Sequence, residues 1–313
     1  MKTCLITGGT GFIGSALTRL MLEKGYTVRV IDDNSRGNFR RLSDVMDSLD
    51  VRIGDIRDQT LVQSALKGTD LAIHLAYING TINFYERPRE VLDVAILGIQ
   101  NVLAGMEACE VPELYLASSS EVYQNPGIFP TPEDVPLLVP DPFNPRYSYG
   151  LGKIIQEFLS IHAGTFLKNL SIFRPHNIYG PDMGFQHVIP EICANISLEK
   201  NSEVTLKGDG LQTRSFCHIS DFVSGFDLIL DSKHGREIFN IGTREEITIS
   251  HLAEVIAASL GKEINFSSSV APLGETNRRV PDISKLEKLG FKQTVSIENG
   301  IKEYCDWYLS TLP

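Results

Sequence analysis

Thr3-Cys4-Leu5-Ile6-Thr7-Gly8-Gly9-Thr10-Gly11-Phe12-Ile13-Gly14 is the stretch on which the fold turns. Residues 2–7 carry the short apolar run of a strand, and residues 12–24 place Ile13, Leu17, Leu20 and Met21 on one helical face. Between them the glycines satisfy GxxGxxG and, from Gly9, GxGxxG. Gly8 permits the tight turn, Gly11 lets backbone approach a diphosphate, and Gly14 lets helix and strand pack closely. The diphosphate then sits on unpaired N–H groups at the helix N-terminus. A glycine pattern alone is weak, but a second strand, 27–31, follows the helix and runs into Asp32, 18 residues beyond Gly14. A carboxylate there accepts both ribose hydroxyls of an adenosine and repels a 2′-phosphate. NAD is therefore the expected cofactor rather than NADP, although Arg36 close by works against that exclusion.

Outward from this unit, residues 50–53, 69–76, 112–118 and 169–174 read as further strands, with helical stretches at 58–67, 88–109 and 148–166 between them. Strand–helix alternation implies an α/β fold, a Rossmann-type doubly wound parallel sheet covered on both faces. From about residue 177 the texture changes. Gly180-Pro181 and Gly208-Asp209-Gly210 punctuate the chain, and helices are expected at 186–199, 219–231, 249–260 and 297–310. Residues 1–176 are read as the NAD-binding domain and 177–313 as a smaller C-terminal α/β substrate lobe, with a boundary the chain can cross more than once.

The 313 residues carry a net charge of -10, which argues against a nucleic-acid partner but not against an anionic ligand bound by local positive groups. The five cysteines show no metal-ligand spacing and read as reduced thiols of a cytoplasmic protein, with no metal expected. The apolar run near Met1 is too short for a signal peptide, and no segment reads as a membrane span.

Tyr149 and Lys153 form YxxxK at the start of a helix, so both side chains share one face. An ammonium beside a phenol favours phenolate, which can take a proton from a carbinol as hydride leaves. The run Ser118-Ser119-Ser120 closes a strand at the carboxyl edge of the sheet, where ligands bind, and a hydroxyl there can bridge substrate and tyrosine. Asp55 and Ile56, after the third strand, are a carboxylate and an apolar side chain placed to hold adenine.

Taken together, TGGTGFIG, Asp32, SSSEVY, YSYGLGK, FRPHNIYGP, GDGLQTRSF and RRVPD resemble the extended short-chain dehydrogenase/reductase family, and within it the nucleotide-sugar epimerases and dehydratases. The resemblance runs over nearly the whole chain. It implies a catalytic set of Ser119, Tyr149 and Lys153, joined by Glu121 and Ser120. It implies NAD contacts from Gly8, Gly11, Phe12, Ile13, Gly14, Asp32, Asp33, Asn34, Asp55, Ile56, Leu75, Ala76, Ala117, Tyr149, Lys153, Pro175 and His176. Ser119, Asn177, Arg214 and Arg278 are implied substrate contacts, the arginines on a nucleotide's diphosphate or ribose, a task that suits their planar fork. Arg279 reads as a flanking surface charge. The resemblance also implies a homodimer or dimer of dimers built on helices 88–109 and 148–166.

Three departures stand out. Gln124 replaces the usual glycine after Val122-Tyr123. Ala95 replaces the usual asparagine three residues before Gly98, removing a hydrogen bond near the site. The loop 77–87 (YINGTINFYER) is unlike the common pattern where the substrate sugar lies. Ser120-Glu121 resembles the pattern in GDP-mannose dehydratases and UDP-glucuronate decarboxylases. The function implied is transient oxidation of a sugar hydroxyl, at C4, followed by epimerisation or dehydration. A net 4-dehydrogenase, a non-catalytic NAD-binding scaffold and a small-aldehyde reductase are the alternatives.

Overall fold

The structure, a computed structural model, describes residues 2–198, 203–232, 235–270 and 276–312. It divides into two compact units, one of residues 1–124, 136–175 and 226–239, the other of residues 125–135, 176–225 and 240–313.

In the first unit β1 (Thr3–Thr7) leads through the glycine loop into α1 (Phe12–Glu23) and β2 (Thr27–Asp32). Next come β3 (Leu49–Ile53), α2 (Gln59–Leu66), β4 (Leu71–His74), α3 (Thr81–Glu86), α4 (Pro88–Ala108), β5 (Glu113–Ala117), α5 (Ser148–Ile161) and β6 (Asn169–Pro175). The chain continues through β7 (Ile178–Tyr179), α6 (Val188–Leu198), β8 (Glu203–Leu206), β9 (Thr213–Ser215), β10 (Cys217–His218), α7 (Ile219–Ser232) and β11 (Arg236–Ile241). The last two bring residues 226–239 back to the first unit. β12 (Glu246–Thr248), α8 (Ile249–Ser259), β13 (Asn265–Ser268), β14 (Arg278–Arg279), α9 (Ser284–Lys288) and α10 (Ile297–Ser310) complete the second. The expected end of the helix read at 186–199, Glu199, lies outside the described residues.

The central sheet has seven strands in the order β11-β6-β5-β4-β1-β2-β3. Pairings from β3 across to β6 are parallel, with Cys4 opposite both Val28 and Leu71. Such strands are buried on both faces, which is why they are nearly continuous apolar runs: Cys4, Leu5, Ile6, Val28, Val30, Ile31, Ala72, Ile73, Leu114 and Leu116 are all inaccessible. The strand order reverses between β1 and β4, and at such a switch point the carboxyl ends of the strands open a crevice. The fold is thus the Rossmann-type doubly wound sheet that the alternation implies.

By length and composition α4 could cross a bilayer, contrary to the reading that no segment does. It serves as a core helix instead. Val91, Val94, Ala95, Gly98, Ile99, Val102, Gly105 and Met106 form its buried stripe. Glycine at 98 and 105 lets it close on α2 and the segment before it: a Cβ at Gly98 would lie 2.3 Å from Ile56 Cδ1. The second unit carries three small sheets, β7 with β10, β8 with β13, and β12-β9-β14.

In the first unit the start of α1 closes directly on the backbone of the loop beneath it. A Cβ on Gly14 would stand 2.0 Å from the carbonyl oxygen of Gly8, which is backbone and cannot swing away. Gly14→Ala is expected to destabilise the protein by about 3 kcal/mol, read as a lowered urea midpoint, and to abolish cofactor binding.

Candidate active site

The crevice at the carboxyl ends of β1 and β4 is lined by the glycine loop. Gly8 has φ +75 and lies against the backbone of β4's continuation, so that a Cβ there would meet Ala76 N at 2.8 Å. Leu75 N donates to Thr7 O (3.1 Å), which fixes Leu75 and Ala76 beside the loop. Gly11 is the N-cap of α1 and no side chain caps this helix end; half-buried Phe12 and Ile13 begin its first turn. Asp32 closes β2, 7% exposed, and each of its oxygens is fixed by backbone, Oδ2 by Thr10 N at 2.9 Å and Oδ1 by Asn34 N at 2.8 Å. Thr10 Oγ1 beside it is buried with no partner among the described residues. An uncapped helix start, a loop that tolerates no Cβ and a carboxylate aimed by two N–H groups are what a dinucleotide needs. Asn34 adopts φ +57, and exposed Asp33 holds Ser35 N and Oγ (2.9 and 2.6 Å) in a local turn. Asp55 grips Arg57, which keeps its carboxyl below the ordinary range, while Ile56 is buried and its carbonyl accepts from Asn101 Nδ2 at 3.0 Å.

Across the crevice, α5 presents Tyr149 and Lys153, both buried. Lys153 Nζ donates to Ala117 O at the end of β5 (2.6 Å) and to Gln156 Oε1 (3.0 Å). Burial pulls this ammonium down to about 7, while the charge of Glu157 pushes it up. His74, at the end of β4, is buried and falls to about 3, through burial first and then the Lys153 charge, so it is neutral at working pH. The Tyr149 ring stacks with Tyr77 and Phe84, each at 4.9 Å between centroids. Ser119, half-buried, caps the short 3-10 turn that follows β5, its Oγ accepting from Glu121 N at 3.2 Å. Ser120 in that turn is buried, and half-buried Glu121 has Arg146 at 3.9 Å. Gln124 explains the glycine usual at its position: it sits at φ +51, in the left-handed region, and its amide donates to Glu121 O (2.6 Å).

Behind the catalytic candidates lies a buried network. Glu157 accepts from Arg174 Nε (2.8 Å), from Arg174 Nη2 (2.6 Å) and from the Ser118 hydroxyl. Arg174 also donates to the Tyr123 hydroxyl (2.8 Å). Neither Glu157 nor Arg174 was singled out by motif, yet 149, 153 and 157 are spaced by four and share a helical stripe, which was the available clue.

In the second unit His176 is buried, with Nε2 3.1 Å from Asn240 Oδ1, while Pro175 ends β6 in the first. Asn177 has φ +45 and its amide donates to Ser215 O at 2.8 Å. Arg214 is buried on β9, where its guanidinium donates to the carbonyls of Thr213 (2.8 Å) and Thr276. Arg278 does not share its face. In the register of β14 on β9, Arg278 stands opposite Thr213 and Arg279 opposite Arg214. Directly paired residues project to the same side of a sheet. Arg278 accordingly meets Glu246 in a two-point ion pair (2.7 and 2.8 Å) and lies over Phe129. Arg279, read from sequence as a flanking charge, joins Arg214 instead, and its Nη2 reaches Thr276 Oγ1 at 3.1 Å. Period-two alternation within Arg278-Arg279 was the clue that separates them.

Comparison with known proteins agrees with this architecture. The profile of the NAD dependent epimerase/dehydratase family matches residues 4–242. A UDP-N-acetyl-alpha-D-glucosaminuronate decarboxylase from Bacillus cytotoxicus is 32% identical, over 98% of each chain. A UDP-glucose 4-epimerase from Thermotoga maritima, solved with UDP-glucose, superposes with a TM-score of 0.88 at 27% identity over 99% of this chain and 100% of its own. A dTDP-glucose 4,6-dehydratase from Streptomyces venezuelae, solved with NAD bound, gives 0.88 at 27% identity over 99% and 97%. The chain belongs to the NAD-dependent epimerase/dehydratase family, a group of extended short-chain dehydrogenase/reductase enzymes. Its cofactor is NAD.

Two outcomes follow from this geometry. Asp32 should make NAD bind at least about tenfold tighter than NADP, measured by calorimetric titration of cofactor-stripped protein. Glu157→Gln removes the carboxylate that pairs with buried Arg174, and should cost about 3–5 kcal/mol of stability in chemical denaturation.

Proposed function

We propose that this enzyme acts on a nucleotide-diphosphate sugar by transient oxidation of a ring hydroxyl at C4, followed by epimerisation or dehydration of the keto sugar. The observation that carries the reading is the placement of Tyr149 and Lys153 on one face of α5, with Lys153 bound to the carbonyl that ends β5. Gly8, Gly11, Gly14, Asp32 and Lys153 would hold NAD, which would supply the hydride acceptor. Tyr149 removes the proton of the sugar hydroxyl, Lys153 stabilises the phenolate, and Ser119 orients the hydroxyl. Glu121 acts on the keto sugar as the base that moves a carbon-bound proton. In this reading residues 1–176 hold chiefly the cofactor and residues 177–313 the sugar nucleotide.

For the diphosphate, Arg214 and Arg279 are the better pair. Their guanidinium groups reach the backbone carbonyl and the side-chain hydroxyl of Thr276, and the planar fork of each suits phosphate oxygens. Arg278, held by Glu246, supports the strand from the other side.

We further propose a homodimer or dimer of dimers formed by α4 and α5, whose outer faces expose Leu97 and Phe158. Light scattering at micromolar concentration should give a dimer or tetramer mass. Five free thiols, four of them buried, suit a reducing compartment, and the cytoplasm is the proposed location.

The test of the function is a panel of UDP-, GDP-, CDP- and dTDP-sugars read by mass spectrometry. Loss of water marks dehydration, an unchanged mass with altered chromatography marks epimerisation, and loss of two hydrogens marks a net 4-dehydrogenase. Tyr149→Phe should retain fold and NAD binding but lose about 10⁴-fold in turnover. Glu121→Gln should still form NADH and stall before product. Arg279→Ala should raise KM by about 10-fold or more, while Arg278→Ala changes it less. Full activity in Tyr149→Phe would remove the mechanism.

A further inference from the structure

The unusual loop after β4 places an aromatic side chain where it touches both Tyr149 and Lys153. Tyr77 stacks on Tyr149 at 4.9 Å with 23° between the rings. Its hydroxyl donates to the backbone carbonyl of Tyr149 at 3.2 Å. Its ring carries the Lys153 ammonium 4.5 Å from the centroid, a cation–π contact in a desolvated setting. Space for the phenol comes from two small residues. A Cβ on Gly152 would stand 2.0 Å from the Tyr77 oxygen and 2.9 Å from the Ala95 methyl. The phenol oxygen and the Ala95 methyl both border the volume that a side chain at 152 would fill. The Ala95 carbonyl accepts from Gln156, and Gln156 in turn accepts from Lys153. The loop, the alanine and the glycine thus form one structural feature.

We infer that Tyr77 is a positioning residue for the catalytic pair, setting the orientation of Tyr149 and Lys153 through its stack, its hydroxyl bond and its cation–π face. The inference rests on Tyr149 being the base. Burial pushes the Tyr77 phenol itself well above the ordinary range, so it stays a neutral donor and does not compete as the base. The other charged or titratable groups around the pair are fixed independently. His74 on β4 is neutral, Glu157 on α5 is bound by Arg174 from β6, and Glu121 after β5 lies beside Arg146. Arg36, from the segment after β2, feels the charge of Tyr149. A change in the ionisation of Tyr149 on altering Tyr77 therefore reports the contact between them, provided these neighbours are unchanged.

The test uses the NAD-bound enzyme and needs no substrate for its first readout. The ionisation of Tyr149 is followed as phenolate absorbance, taken as the difference between each protein and its counterpart carrying Tyr149→Phe. Tyr77→Ala releases the Lys153 ammonium from the ring that seats it, and this loss of a fixed positive charge, outweighing the water admitted to the gap, should raise the midpoint by about one pH unit. On a sugar nucleotide it should lower kcat by about 10²-fold with KM changed less than about twofold. Tyr77→Phe keeps the ring and loses one hydrogen bond, so kcat should return to within about fivefold of wild type. Should Tyr77→Ala fail to fold, Gly152→Ala supplies the same displacement, and adding Tyr77→Phe to it, which removes the clashing oxygen, should restore part of the lost rate. A midpoint and kcat unmoved in Tyr77→Ala, or no restoration in the double variant, would overturn the inference. If no sugar nucleotide turns over and yet the midpoint moves as stated, the proposed substrate fails and the positioning role stands.

Discussion

The carboxylate of Glu157 is the point on which the catalytic geometry depends. It is shut away from water and bound from two strands at once, by Ser118 just past β5 and by Arg174 of β6. Glu157 itself rides on α5, the helix that carries Tyr149 and Lys153. One side chain therefore fixes a helix against two strand ends, which is the geometry a proton transfer needs to within fractions of an ångström. An ion pair so dry adds little net stability, because the desolvation of both charges offsets their attraction. Its contribution is definition of place. It also reaches Lys153 electrostatically, opposing the burial that would otherwise strip the ammonium of its proton.

That geometry explains why some of the molecule is readable from sequence and some is not. Five central strands announce themselves as apolar runs between helical stripes, because a parallel sheet buried on both faces admits little else, while the half-buried edge strand Leu49–Ile53 mixes Asp50 and Arg52 with its apolar residues. The seventh, Arg236–Ile241, escapes because Arg236, Glu237 and Asn240 interrupt its apolar residues over a short span at the sheet edge. The short helix Thr81–Glu86 is equally hidden within a loop whose function is local packing. The glycine loop is legible since its constraint is steric and each glycine has one obvious reason. The arginines of β14 are not, since which of two adjacent charges meets Arg214 depends on strand register, and register is a tertiary fact. Gln124 adopts a left-handed conformation that glycine would take without strain, with its side-chain amide bonded to Glu121 O.

The relatives catalyse decarboxylation, epimerisation and dehydration on closely similar scaffolds. The scaffold therefore explains the oxidation step that such reactions can share, and the side chains added around it distinguish them. In this chain Tyr77 and Phe84, which follow β4, stack on Tyr149.

Tyr77, Ala95 and Gly152 lie far apart in the chain but fill one another's space. Such a trio cannot be assembled in any order. A tyrosine arriving at 77 while residue 152 still carried a Cβ would have driven its oxygen into that atom, whereas a glycine arriving first leaves only a small void. Residue 152 cannot gain a Cβ while an oxygen stands on residue 77, so a change there is open only after residue 77 has become phenylalanine or a smaller side chain.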